Sequence, residues 1–395
     1  MKKAIIIFIS IVLLYFFALV HRVGIAVIAL DMMKEFSIGA ELIGMMSSMY
    51  FFPYAISQIP VGIMLDRIGV RRTIVILSSI ACLGGLIFSL SPYLSLTTIG
   101  RALIGFGMGG IYVSGIKAIT IWFDPGKIAT LVGLLTSLGN LGALFATFPL
   151  AIITISIGWR GAFLGITIIM IIITIIAWFE ISEIKDKRFY SERSIFSDLK
   201  KIFSCREFLK LSIIPFFSYG LVLSFQGLWG GPFLMDIYGL DKSMAGIMLL
   251  FIAIGFIITS PIAGNISDRI KRRKPNLIIG ISLSIVFWFI MSIFGDSLNF
   301  YIISALFFLL GTSYSFFNIY MIISKELFET NMSGVAISSL NLFNFIGAGF
   351  FQYVMGIILE SSRDFHAYQM TFLMALLCMI FTLIPAIKVR ETYKC

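Results

Sequence analysis

Long apolar runs alternate along the chain with short polar breaks marked by charges, prolines and glycines. A bilayer-spanning helix needs ~20 consecutive apolar residues. The runs predict twelve such helices, over residues 4–30, 41–65, 73–91, 95–121, 129–156, 160–180, 209–235, 243–267, 277–295, 298–323, 333–359 and 367–387. One polar stretch is long, "ISEIKDKRFYSERSIFSDLKKIFSCREF" over 181–208, near the chain centre. It predicts a first half, 1–180, a cytoplasmic linker, 181–208, and a second half, 209–395. The run after Lys2 and Lys3 is too long for a secretory h-region and no small-residue cleavage pattern follows. It reads as the first membrane helix.

Composition fits that picture. Of 395 residues, 59% are hydrophobic and 13% charged, against roughly 25% charged in soluble domains. The expected class is an all-α, multi-pass protein of the plasma (inner) membrane, with no separate soluble domain. The four cysteines have no CxxC spacing, and no metal or cofactor is expected. "GFGMGG" (105–110) resembles a dinucleotide loop, but no strand precedes it, so close helix packing is the better reading. With no nucleotide-binding motif, neither an enzyme nor a primary pump is expected.

The net charge is +10, and its distribution matters more than its sum. With the N-terminus inside, twenty-three Lys and Arg fall on cytoplasmic segments and four outside: Lys34, Arg160, Lys242 and Arg363. Three lie within helices: Arg22, Arg101 and Lys117. This split predicts N-in, C-in topology. The basic residues then act as topology signals at a lipid bilayer, and no nucleic-acid partner is expected.

The chain repeats itself. Gly62 and Asp66 match Gly264 and Asp268 at an offset of 202, and Gly133, Ser137 and Asn140 match Gly334, Ser338 and Asn341 at 201. Two six-helix halves in the same orientation follow. Transporters are often built from such repeats.

The sequence resembles the major facilitator superfamily over its whole length. That family's loop motif G-x-x-x-D-R-x-G-x-R-[RK] reads here "GIMLDRIGVRR", residues 62–72. The second copy, "GNISDRIKRRK", keeps Gly264, Asp268 and Arg269. "RALIGFG" (101–107) and "GWRGAF" (158–163) are also family-like. The resemblance implies transport by alternating access, with helices 1, 4, 7 and 10 lining a central cavity. The first 75 residues are similar to the anion:cation symporter group: Arg22 falls on its helix 1 arginine, and Gln58, Pro60 and Gly62 on its helix 2 ending. His21 stands where that group has an aspartate. A carboxylate such as Asp66 beside its own basic loop can accept hydrogen bonds from a helix N-terminus and pair with arginine. Gly62, Asp66, Arg67, Gly69, Arg71, Arg72, Asp268 and Arg269 are therefore read as a conformational latch; the alternative for the basic residues is topology alone.

Two arginines within predicted helices carry the reading of function. Arg22 lies eight residues before Leu30, roughly 12 Å below that helix end, and Arg101 six residues after Ser95, roughly 9 Å. Inserting arginine at a helix centre costs ~2.5–3.5 kcal/mol. No Asp or Glu lies mid-helix in the predicted spans, so an anionic substrate can supply the partner charge, and guanidinium binds carboxylate or phosphate in bidentate fashion. The alternatives are a snorkelling Arg22 and an Arg101 that caps helix carbonyls. His21 is the proton-coupling candidate, or else a packing residue on the far face.

At the 202 offset Arg22 maps to Ser224 and Arg101 to Ile303, so the charge belongs to the first half. The second half offers Gln226 and Trp229, then Tyr314 and Asn318. These six residues, Arg22, Arg101, Gln226, Trp229, Tyr314 and Asn318, form the expected substrate site. The resemblance argues against organophosphate antiporters, whose helix 7 carries an arginine, and against nitrate porters, which use arginines on helices 2 and 8. The expected function is a monomeric secondary transporter, a symporter of a small organic anion such as a carboxylate, sugar acid or small peptide, coupled to protons. The alternatives are an uncoupled facilitator or exchanger, and a transporter-like sensor.

Overall fold

A computed structural model describes residues 2–181, 195–329 and 332–393, apart from the side chains of residues 2, 3, 59, 66, 125, 129, 195–197 and 333. Most of these residues are helical, with no strand among them. Ten helical stretches among them are long and apolar enough to cross a membrane, and Thr130–Phe145 is a shorter apolar helix.

In chain order the helices are α1 (Lys2–Val23), α2 (Ile25–Phe36), α3 (Ala40–Arg67), α4 (Gly69–Leu90), α5 (Leu94–Met108), α6 (Ile111–Trp122), α7 (Ile128–Phe145) and α8 (Phe148–Glu180). Then come α9 (Ile195–Ser204), α10 (Arg206–Ser224), a π-turn (Phe225–Trp229), α11 (Gly230–Tyr238), α12 (Lys242–Ile270), α13 (Lys274–Phe294), α14 (Phe300–Phe317), α15 (Tyr320–Glu326), α16 (Ser333–Ile358) and α17 (Phe365–Lys388).

The expected helices over 4–30, 95–121, 209–235 and 298–323 are all interrupted. The chain steps at Gly24, at Gly109–Gly110, through the π-turn, and at Asn318–Ile319. Apolar periodicity carries on across each step, which is why the pattern showed one run in each place. The first run also continues further than expected, to Phe36, because Asp31 and Lys34 lie on a helix that ends only where Ser37 turns left-handed at φ 52°. The expected helix over 129–156 breaks at Ala146–Thr147, and α8 turns within itself at Gly158, φ 72°.

Two compact units emerge, one of Met1–Ile38 and Met46–Ser191, the other of Gly39–Met45 and Glu192–Cys395. In the first, α4 packs on α5 and on α8, and α1 on α7; in the second, α13 packs on α14 and on α17, and α10 on α16. These three pairings occupy equivalent places in the two repeats. Where helix backbones cross, small residues let them approach. A Cβ on Gly84 of α4 would lie 2.7 Å from the main-chain oxygen of Gly100 of α5, and the reverse holds for Gly100. In the second unit a Cβ on Gly220 of α10 would lie 2.7 Å from the main chain of Gly347 of α16, and one on Gly347 would meet the main-chain oxygen of Phe216.

The second unit starts several helices with capping side chains. Asp241, Asn299 and Asp364 accept the N–H groups of Met244, Ile302 and Ala367, each cap stabilising by ~1 kcal/mol. Within the expected linker lies one helix, α9. Its apolar positions, Ile195, Phe196, Leu199, Ile202 and Phe203, recur at one-face spacing, and Phe203 packs on Phe208 and Phe343. The rest of that polar stretch, 182–194, lies outside the described residues.

Candidate functional site

In the first unit the site grows from the step in the first helix. The regular helix stops at Val23 and restarts at Ile25, so the His21 carbonyl loses the bond that residue 25 would give it. Glycine fits the step because a Cβ on Gly24 would sit 2.8 Å from the Val20 main-chain oxygen. Arg101, reaching from α5, donates Nη1 to the His21 main-chain oxygen at 2.8 Å. Its guanidinium lies 4.9 Å from the Tyr50 ring centroid and 5.8 Å from that of Phe88, and it is 0% exposed. Arg22 is 7% exposed, and its guanidinium lies 5.1 Å from the Tyr54 ring. Tyr50 and Tyr54 of α3 are themselves 5.8 Å apart, and the Tyr50 hydroxyl donates to Ala18 O at 2.9 Å. Two aromatic faces thus support two guanidinium groups, an arrangement worth ~2 kcal/mol or more per pair when desolvated.

His21 points elsewhere. Consecutive helical residues diverge by ~100°; the imidazole packs on Phe163 of α8, centroids 5.4 Å apart, while Arg22 lies over α3. The ring is fully buried, and neither nitrogen has a hydrogen-bond partner among the described residues.

The second interruption of this unit is held in a similar way. Gln58 of α3 donates Nε2 to Gly109 O at 2.7 Å, at the step between α5 and α6. The "GFGMGG" glycines serve packing, since a Cβ on Gly105 would collide with the Tyr50 main-chain oxygen. Lys117 donates Nζ to Leu65 O at 3.2 Å.

In the second unit, the π-turn carries Gln226 and Trp229. Trp229 is buried and donates Nε1 to the main-chain oxygen of Gln352 at 3.0 Å. Gln352 itself is fully buried, with neither side-chain amide atom bonded among the described residues. Tyr314 stacks on Phe256 at 4.3 Å and meets Tyr219 at 5.4 Å. Asn318 stands at the step between α14 and α15. Beside that step Tyr320 is bonded to Asn344 and Asn344 to Asn341. Tyr50, Tyr54 and Gln352 were missed from sequence. Tyr50 and Tyr54 had a usable signal, since tyrosines four apart share a helix face.

The latch residues are placed unevenly. The Asp66 side chain lies outside the described residues. Gly69 has φ 83°, Arg67 is exposed, and Arg71 stacks over the Trp178 ring at 4.6 Å. In the second copy Asp268 pairs with Arg273, at 2.6 Å, while Arg269 is exposed. Arg273 also binds Glu326 at 3.0 Å, and its main-chain N–H donates to Glu391 at 2.8 Å. Burial works against the Arg273 charge, but Glu326 and Asp268 outweigh it and raise its pKa. Burial likewise works against ionised Glu391, yet four backbone N–H groups, from Arg273, Lys274, Tyr393 and Thr392, hold its carboxyl below the ordinary range. Arg273 is Arg71 shifted by 202, so the repeat pointed to it; Glu326 and Glu391 had no motif to mark them.

Each unit also ties off the far end of its first helix. Glu35 of α2 accepts from Trp159 Nε1 at 2.6 Å and from Arg160 Nε at 2.7 Å. Asp236 of α11 accepts from the Tyr368 hydroxyl at 2.9 Å and pairs with Arg363 at 3.6 Å.

Comparison with known proteins adds the following. A sequence model of the Major Facilitator Superfamily matches residues 9–352 and 213–393. The chain is 24% identical over 312 residues to the probable sulfoacetate transporter SauU of Cupriavidus necator, covering 73% of this chain and 72% of that protein. It is 24% identical over 326 residues to the probable L-galactonate transporter of Escherichia coli, covering 71% and 68%. Among solved structures it resembles a bacterial homolog of the human lysosomal transporter Spinster, with TM-score 0.78 at 15% identity over 98% of both chains.

Proposed function

The chain belongs to the Major Facilitator Superfamily, and from that premise we propose that it carries a small organic anion, such as a carboxylate or sugar acid, coupled to proton movement. It is a multi-pass plasma-membrane transporter and not an enzyme. The observation that carries the reading is the pair of buried guanidinium groups on neighbouring aromatic rings of the first unit, Arg22 over Tyr54 and Arg101 over Tyr50. Arg22 keeps some exposure and is assigned the substrate contact. Arg101, with none, contributes its charge and holds the first helix. Gln226, Trp229, Tyr314 and Asn318 contribute uncharged contacts to the substrate body. Sulfoacetate and L-galactonate, named for the two relatives, are small organic anions, which supports this choice.

His21 is assigned the proton, supported by its unbonded ring nitrogens. Its complete burial favours a second reading, uncoupled facilitation or exchange. In proteoliposomes, anion uptake should follow an imposed pH gradient, and His21→Ala should abolish that dependence. Gradient-independent uptake with a silent His21→Ala variant selects the uncoupled reading. Ligand binding without any flux would favour a transporter-like sensor. A thermal-shift screen of organic anions should lose its hits in Arg22→Ala; an unchanged set of hits rejects the anion site.

A further inference from the structure

We propose that the second unit carries a binding site for an anionic phospholipid, built on the turn that joins α12 to α13. An open groove of about 580 Å³ is lined there by Arg272, Lys274, Pro275, Ile278, Ile279 and Glu391. The lining changes character along its length. Two cations stand at the loop end, and the first turns of α13, a membrane-spanning helix, continue it with Pro275 and the isoleucines.

Three consecutive basic residues have separate duties here. The middle one, Arg273, is buried and its charge is committed to Asp268 and Glu326. Arg272 and Lys274 on either side form no ion pair among the described residues, and both open onto the groove. Glu391 also lines the groove as a carboxylate, but its oxygens are turned to the main-chain N–H groups of Arg273 and Lys274, and the lining keeps an excess of one positive charge. The groove therefore presents two cations outside any ion pair among the described residues, with a net positive charge, above an apolar wall, with Ile279 40% exposed. A phosphodiester headgroup satisfies the cations while an acyl chain covers Ile278 and Ile279. A basic pocket beside membrane helices suits anionic lipid; a free phosphate would leave the isoleucines uncovered.

Native mass spectrometry of the purified full chain, delipidated and then given phosphatidylglycerol, phosphatidylethanolamine or inorganic phosphate, tests this. The wild type should retain phosphatidylglycerol in preference to phosphatidylethanolamine. Each basic residue near a membrane surface is worth roughly 5-fold in anionic-lipid binding, so Arg272→Gln/Lys274→Gln should weaken it roughly 25-fold. Ile279→Ser, which keeps both charges, should weaken it several-fold. Lys388→Gln, a basic change outside the groove lining, should leave it intact. Unchanged binding in the double variant, an equal loss in Lys388→Gln, or inorganic phosphate matching the lipid would overturn the proposal. An unchanged melting temperature of the lipid-free double variant shows that a loss belongs to the groove.

Discussion

Arg101 Nη1 lies 2.8 Å from the main-chain oxygen of His21, on the carbonyl that the step at Gly24 sets free. A residue read as part of an anion site thus also caps a broken helix. Its charge-assisted bond to a buried carbonyl is of the kind that contributes ~1.5–3 kcal/mol. Arg101→Lys should lower the melting temperature of the purified protein, since a single ammonium cannot both span to His21 and lie flat over Tyr50. Arg101→Ala should lower it further. A fully stable Arg101→Ala would show that the cap carries no weight.

Arg22 should show its larger effect in binding. It lies over Tyr54 with a little exposure, and its assigned partner is the substrate. Arg22→Lys should cost up to about 2 kcal/mol of stability, because the planar group over Tyr54 and beside Tyr50 is lost, and should weaken anion binding about 10-fold or more through loss of the planar fork. Isothermal titration with a hit from the anion screen measures both affinity and the contrast with Arg101→Lys.

Gln58 gives the sequence motif of the second predicted helix a physical role. Its amide satisfies Gly109 O at the step between α5 and α6. Gln58→Leu keeps the volume and removes the donor, leaving a carbonyl at a helix break unpaired at a cost of ~1–3 kcal/mol. Thermal unfolding in detergent should show that loss, and Gln58→Glu should not restore it, because an ionised carboxylate only accepts.

These residues also show what could be read from the chain and what could not. Apolar run length was enough to find nearly every helix, because a lipid environment demands it. The steps escaped notice because the chain stays apolar on the far side of Gly24, Gly109 and Gly110, so a glycine alone did not end the run there. Yet the helices that the family resemblance expected around the cavity, over 4–30, 95–121, 209–235 and 298–323, are all among the interrupted ones. Arg22 and Arg101 stood out because a fixed charge in an apolar run is costly. Gln352 did not, since one glutamine on a helix of mixed polarity carries no spacing signal; only its burial and its carbonyl's bond to Trp229 mark it. Glu391 was invisible for a different reason: its partners are backbone N–H groups, which no sequence pattern displays.

Trp229 tests the π-turn. Trp229→Phe preserves most of the buried ring and removes the Nε1 bond to Gln352 O. The net value of such a bond is ~0.5–1.5 kcal/mol, so a modest fall in melting temperature is expected, with a larger one for Trp229→Ala because a cavity is added. Equal effects of the two changes would mean that the hydrogen bond, not the volume, holds this turn.

Glu391 predicts a pH dependence at the C-terminal end. Its carboxyl is held below the ordinary 4.5, as backbone N–H bonds overcome the effect of burial. A depressed carboxyl contributes stability that is fully present above its unfolded value and lost as pH falls through the folded one. The strap formed by residues 389–393 should therefore stay closed from pH 7 down to 4.5, and release only below that. Exchange protection of the Arg273 and Lys274 amides, corrected for intrinsic rates, reports it directly, because both N–H groups end on Glu391. Glu391→Gln offers one acceptor oxygen in place of two, so protection should fall about 10-fold at pH 7, the equivalent of ~1.4 kcal/mol. It should also lose its variation across the acid range. Protection that already declines between pH 7 and 5 in the wild type would assign the strap to some other titrating group.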